Sequence, residues 1–379
     1  MYNNTSNQGE TMNRNAMNIF FIVILLLFLS TGCTTTKESH FRQQSKEGLA
    51  KSLPGADIAY IDAHNHISGG QGFRPDFSGA VYSALATMKE LGIGKIIIMP
   101  PPFSPAHRGI FDSDALLPFA AEHPDRIAVL GGGGTLNVMI HGEGKSNSVS
   151  PEMKAVFEKK AAEIISKGAV GLGEFAVEHF SFTHDHPYES VSADHPLFLL
   201  LADIAAKHDV PVDIHMEAIP KDMPLPYRPL LKRSGNNPKM LRENMSGFER
   251  LLSHNPKAKI IWAHAGWCNT GFRTPELCRD LFNKYPNLYM SFKFSPDSVP
   301  ETRPVSEDNN SIKPEWLKLI KDFPDRFIIG TDQFYVPPGS RSIGPQKTEG
   351  SKRFISLLPP DLARRIGVEN PKRIFNLKD

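Results

Sequence analysis

The chain has 379 residues, 40% hydrophobic and 22% charged, the proportions of a folded globular protein rather than a disordered one. With 43 Lys and Arg against 41 Asp and Glu, the net charge is only +2, which excludes the strong positive field of a nucleic-acid binder. Three cysteines, Cys33, Cys268 and Cys278, exclude a disulfide framework and a cysteine-only zinc cluster, so any metal falls to the 14 His and the carboxylates.

The N-terminus reads as an address. Ile19 to Leu29 is an uninterrupted apolar run, too short to span a bilayer as a helix, and the only basic residue before it is Arg14, as in a secretory signal. Leu29-Ser30-Thr31-Gly32-Cys33 follows at once and resembles the lipobox of bacterial lipoproteins. That resemblance implies removal of residues 1–32 and lipid attachment at Cys33, hence anchoring to a membrane of the cell envelope without spanning it. Residues 33–55 are polar and unpatterned, the composition of a tether, and the folded domain is expected over residues 56–379.

From there short β-rich runs alternate with segments of helical period, the signature of βα units. Eight strands are expected: Ala59–Ala63, Lys95–Met99, Arg126–Leu130, Ala169–Leu172, Pro211–His215, Lys259–Ala263, Asn287–Phe292 and Arg326–Gly330. Helices are expected over Ser78–Leu91, Pro151–Ser166, Pro196–His208, Met240–His254 and Pro275–Tyr285, several opening on Ser or Pro. Eight such units predict an α/β fold of the (β/α)8 TIM-barrel type; a doubly wound sheet is the competitor, but no G-x-G-x-x-G follows the first strand. Gly131 to Gly134 lacks the Lys-Ser/Thr of a phosphate loop and reads as a turn. The Pro-rich stretch Ile219 to Pro238 is the longest segment without period, a candidate lid or rim.

Metal-ligating residue types recur where these strands end. His64 and His66 are two apart, His215 ends the fifth strand, His264 and Asp332 follow the sixth and eighth, and Glu174 follows the fourth. The C-terminal rim of a barrel is where its loops build the active site, and six ligands exceed what a four-coordinate structural zinc needs. His184-Asp185-His186, with no strand before it, reads as structural or substrate-facing, and Asp62 as a structural partner.

His64-x-His66, His215, His264 and Asp332 together resemble the metal signature of the amidohydrolase superfamily, in its amidohydrolase-2 (amidohydrolase-related) branch, over roughly Ala56 to Phe375. The flanking text Val170 to Phe175, Pro211-Val212 and Glu369 to Phe375 is similar too. The resemblance implies a metal-dependent hydrolase with one or two divalent ions, zinc by preference, and a small-molecule substrate. Many members bridge two metals with a carboxylated Lys on the fourth strand; Glu174 stands in that region here, similar to TatD-like and phosphotriesterase-homology members. On this reading His64, His66 and Asp332 hold one ion, His215 and His264 a second, and Glu174 bridges. A bound ion lowers the pKa of water towards 7, Asp332 takes the proton, and in a mononuclear version His264 orients water or substrate.

The substrate expected from the resemblance is a small amide, ester, lactone or phosphoester. Lys293 either meets an anionic group or lies solvated; Arg228 and Arg233 either close over an anion or are solvated; Trp267 and Phe103 either line the pocket or pack in the core. Cys268 lacks a base, because His264 belongs to the metal set. Two alternatives stand beside the hydrolase. One is a metal-dependent decarboxylase of a small aromatic or unsaturated acid, marked by one ion and a basic residue such as Lys293; the other is a non-catalytic surface binding lipoprotein.

Overall fold

The computed structural model describes residues 55, 57–70, 75–144 and 148–378. The expected signal, the lipidation site Cys33 and the tether, apart from Gly55, lie outside the described residues. Eight parallel strands run in sequence order: β1 (Tyr60–Ile67), β2 (Ile93–Met99), β3 (Ile127–Gly132), β4 (Gly171–His179), β5 (Pro211–Met216), β6 (Lys259–Ala265), β7 (Leu288–Phe292) and β8 (Phe327–Ile329). Each pairs with the next, and β8 returns to β1 at Asp62 opposite Ile329, so the sheet closes into the expected barrel.

Helices follow the strands on the outside. They are α1 (Phe77–Leu91), α2 (Leu117–Glu122), α3 (Leu136–Glu143), α4 (Pro151–Ser166), α5 (Pro196–His208), α6 (Met245–His254), α7 (Pro275–Lys284), α8 (Pro314–Asp322), α9 (Thr348–Leu357), α10 (Pro360–Arg364) and α11 (Asn370–Ile374). Local chemistry starts them. Asp76 accepts from Gly79 N at 2.8 Å to cap α1, Ser150 accepts from Met153 N at 3.2 Å to cap α4, and α4, α5 and α7 carry Pro in the first turn, where no backbone N–H is needed. Gly92 ends α1 in the left-handed region at φ 68°.

Strand β1 runs on to Ile67 rather than ending at Ala63, so His64 and His66 lie within it, and three further boundaries shift where it matters for the site. The helix expected from Met240 begins only at Met245, because Met240–Leu241 pairs with Met223–Pro224 as a short antiparallel ribbon inside the Pro-rich insertion. Strand β4 runs to His179, so Glu174 lies within it rather than after it. Strand β8 stops at Ile329 and the chain pairs with β1 again only at Gln333–Tyr335, leaving Asp332 in the gap.

Two apolar layers hold the barrel. Outward residues such as Ile96, Val129, Val212, Ile214, Ile260 and Trp262 pack under Val81 and Met88 of α1, Phe198 and Leu201 of α5, and Phe248 of α6. Each such side chain contributes roughly 1.5–3 kcal/mol by leaving water. Inside, Ile61, Ala63, Ile97, Ala128, Leu130, Ile261 and Ile328 form a second cluster with Ile374 and Phe375. The C-terminal segment closes the end where strands begin, since Lys259 Nζ, at the start of β6, donates to Ile374 O at 3.1 Å.

Three strands depart from simple alternation at one level. Between Asp62 (opposite Ile96) and Asn65 (opposite Ile98), β1 advances three residues while β2 advances two. The same three-for-two shift occurs in β4 from Leu172 to Phe175 against Val212 and Ile214. It occurs in β6 from Trp262 to Ala265 against Met290 and Phe292. An extra residue of this kind is a β-bulge, and it re-aims a side chain. The bulges contain His64, Glu174 and His264.

Candidate metal centre

Alternation from Ile261 would turn His264 outward. The bulge, together with φ 69° at His264, brings it into the barrel mouth. In β4, Leu172 and Phe175 both belong to the outer layer, and the two residues between them, Gly173 and Glu174, face inward. Asp332 also lies in the left-handed region, at φ 55°, with its N–H donating to His64 O at 2.8 Å. Left-handed backbone at a non-glycine residue costs energy and persists where the surroundings enforce it, typically at functional sites. Asp62 has the structural role expected of it, accepting from Thr331 N at 2.9 Å and Thr331 Oγ1 at 2.6 Å and so joining β1 to the segment that carries Asp332.

All six expected ligands are buried and converge. On one side His64 Nε2 and His66 Nε2 are 3.3 Å apart, Asp332 Oδ1 is 3.3 Å from His66 Nε2, and Glu174 Oε2 is 3.3 Å from His66 Nε2 and 3.5 Å from His64 Nε2. On the other, Glu174 Oε1 is 3.0 Å from His215 Nδ1 and 3.1 Å from His264 Nε2, and those two nitrogens are 3.1 Å apart. Two atoms each about 2.0–2.1 Å from a tetrahedral ion stand about 3.3 Å from one another. The observed spacings are of that size, so the donors fit a divalent cation, and Glu174 presents one oxygen to each group. His66 Nδ1 lies 3.1 Å from Met99 O and donates to it, which leaves Nε2 with its lone pair towards the cluster.

The electrostatics agree with a site built for positive charge. Burial alone would raise the Glu174 pKa, but His64, His215 and His264 around it hold the carboxyl well below its ordinary value. Burial likewise opposes ionisation of Asp332, and Lys293 and Lys347 overcome it and hold that carboxyl well below the usual range. Lys293 Nζ is 2.5 Å from Asp332 Oδ2 and Lys347 Nζ 3.2 Å; Lys347 also donates to the Asp332 carbonyl. Burial lowers Lys347 to about 8. His264 is pushed well below its usual value by burial and by Lys293.

The remaining expected residues divide. Lys293 belongs to the site, its ammonium also 3.5 Å over the Trp267 ring, and Trp267 stands 6.1 Å from the His215 and His264 rings. Arg228 is held by Glu301 Oε1 at 3.0 Å and Asn269 O at 3.2 Å, an ion pair of the rim rather than of the metal cluster. Arg233 is exposed in a short 3-10 turn, and Phe103 packs edge-on to Phe111 and His107. Of the turn expected at Gly131 to Gly134, Gly131 and Gly132 end β3 and only Gly133 and Gly134 turn; Asp112 ties the segment, accepting from Gly132 N at 2.8 Å and Gly134 N at 3.1 Å. Cys268 is buried and free, its thiol pushed up by burial. His186, from the His-Asp-His loop, meets His179 at 4.8 Å between rings, and His179 meets His215 at 4.2 Å.

Sequence reading missed Lys347, Asp213 and His179. Lys347 lies in a loop with no period, so nothing local marks it. Asp213 could have been found, because the alternation that turns His215 inward also turns the residue two before it inward.

Residues 61–377 match the family model described as amidohydrolase. No curated protein matches the chain. Among solved structures, a probable 2-pyrone-4,6-dicarboxylic acid hydrolase from Acinetobacter baumannii is similar at 13% identity and TM-score 0.47, over 84% of this chain and 100% of that one. A 2,6-dihydroxybenzoate decarboxylase from Rhizobium is similar at 16% identity and TM-score 0.45, over 84% and 99%. A dihydroorotase from Saccharomyces cerevisiae is similar at 12% and 0.48, over 84% of each chain. The family match spans almost the whole described barrel and the six converging donors, and the chain belongs to the amidohydrolase family, a family of enzymes.

Proposed function

We propose that the chain is a metal-dependent hydrolase of a small amide, ester, lactone or phosphoester. The observation that carries this reading is the convergence of six buried donors into two groups that share Glu174. His64, His66 and Asp332 would hold one divalent ion, His215 and His264 a second, with Glu174 offering an oxygen to each; imidazole and carboxylate suit Zn²⁺ or a similar ion. When bound, such an ion supplies Lewis acidity, acidifying water and polarising the scissile bond. Asp332, kept ionised by Lys293 and Lys347, accepts the proton of the attacking water and returns it to the leaving group. Trp267 and His179 flank the imidazoles and limit water around the reacting atoms.

Elemental analysis of the full-length protein and its Glu174→Ala variant tests the reading. Two ions per chain in the parent, falling to one or none in the variant, together with turnover on a panel of amides, lactones and phosphoesters, are the expected results. No ion after reconstitution would sink it. One observation favours a second reading, a decarboxylase of a small aromatic or unsaturated acid: Lys293 places an ammonium beside Asp332, where a substrate carboxylate can be met. A single ion in both proteins, with CO2 release from such acids, would move that reading to the front.

We also propose that the enzyme is anchored to a membrane of the cell envelope through lipid on Cys33, supported by the apolar run from Ile19 to Leu29 directly before Leu29 to Cys33. Among the described residues no helix is long and apolar enough to cross a membrane. Mass spectrometry of the mature N-terminus is the check: a chain beginning at acylated Cys33 is expected, and an unmodified Cys33 would refute the anchor.

A further inference from the structure

We propose that Asp213 is a positioning residue for the metal centre, holding His64 with its proton on Nδ1 and its Nε2 lone pair delivered to the ion. The inference rests on the metal reading above. Asp213 Oδ1 lies 3.1 Å from His64 Nδ1, on the side of the imidazole away from Glu174 and His66, which meet Nε2. Both side chains are buried, at 1% and 0% exposure. Among the described residues, apart from this contact, no hydrogen-bond partner reaches either Asp213 oxygen or His64 Nδ1.

A buried carboxylate with a single neighbour costs several kcal/mol unless that neighbour is a charge or a strong donor. Here the neighbour is the ring that the metal would polarise. The surroundings are cut to the pair. A side chain at Gly173 would place its Cβ 2.8 Å from Asp213 Cβ, and one at Gly330 would stand 2.8 Å from His64 Cβ. Two glycines therefore clear the space in which this Asp and this His meet.

His66 gives the contrast. Its Nδ1 has a neutral carbonyl, Met99 O, where His64 has a carboxylate. Both devices fix the ring and tautomer, but the carboxylate also increases the electron density of the coordinating nitrogen. His64 is thus the stronger of the two imidazole donors, and Asp213, two residues before His215, couples β5 to both halves of the centre.

The test is the Zn²⁺ affinity of the full-length protein, measured by competition with a chromophoric chelator, in the parent, Asp213→Asn, His64→Ala and the double variant. Asp213→Asn, which keeps shape and loses the charge, is expected to weaken binding tenfold to a hundredfold. Its metal-free circular dichroism is expected to match the parent, and it should add no further loss in the His64→Ala background. Parental affinity in Asp213→Asn, or an equal loss in both backgrounds, would overturn the role. Should the variant not fold, long-range 1H–15N correlation of the zinc-loaded parent decides. A His64 proton on Nδ1 is expected, and a proton on Nε2 would overturn the proposal. A parent that binds no zinc would take down the metal reading itself, whereas unchanged affinity in the variant would take down only the role of Asp213.

Discussion

The two ends of the barrel interior do opposite things, and β1 and β6 contribute to both. Towards the strand starts, Ile61, Ile97, Ala128, Leu130, Ile261 and Ile328 meet the plug formed by Ile374 and Phe375, and the space is filled with carbon. Towards the strand ends, β1, β4, β5 and β6 present His64, His66, Glu174, Asp213, His215 and His264, all buried and nearly all facing one another. The lower half gains by excluding water. The upper half concentrates groups that would be stable in water, and they neutralise one another in an arrangement whose donors fit a divalent cation. Stability and chemistry are thus separable along one strand, and single substitutions should affect one without the other.

The largest effect is expected at Asp332. Asp332→Asn removes the proposed proton acceptor and should lower turnover by about 10²–10⁴-fold while most of the metal stays, because the imidazoles and Glu174 remain. Steady-state kinetics with elemental analysis checks this, and near-normal turnover would defeat the assignment. The opposite separation belongs to Phe375→Ala. Deleting a buried aromatic plug should cost about 3–5 kcal/mol in denaturant unfolding, yet leave the number of metal ions per folded chain unchanged.

A third effect lies beside the site, in β4. Burial raises Glu178 from 4.5 to about 7, against the opposing bond from Tyr188 OH at 2.6 Å. The folded state therefore holds a proton that the unfolded chain has released between those pH values. The resulting stability is fully present below about 4.5 and is lost as pH rises through about 7. Glu178→Gln should remove that dependence, so its melting temperature should gain on the parent's from pH 5 to pH 8. A constant difference would mean that Glu178 does not titrate in this way. The smallest effect is expected at the rim: Arg228→Ala breaks a partly exposed pair with Glu301, worth about 1 kcal/mol or less, and should not alter metal content. A loss of metal there would show the rim and the centre to be coupled.

Much of this was legible without coordinates. Runs such as Lys95–Met99 and Lys259–Ala263 are apolar on both faces because a barrel strand is covered inside and out, and that reads directly as parallel βα architecture. Helix starts were legible where Ser150 and Thr274 precede Pro. Helix α6 was misplaced because Met240–Leu241 finds a strand partner at Met223–Pro224, a contact no local pattern carries.

The sequence by itself determined which residue types end the strands, and hence the family, since ligand chemistry is a property of the side chain and strand ends are marked by local composition. Tertiary structure decided their direction. Strict alternation from Ile61, Gly173 and Ile261 would face His64, Glu174 and His264 away from the barrel axis, and each is redirected by a bulge that exists only relative to the neighbouring strand. Asp332 is aimed by a gap in β8 bridged to β1, and Lys347 reaches it from 15 residues further along the chain. Pairing register and loop approach are relations between distant segments, and periodicity within one segment does not contain them.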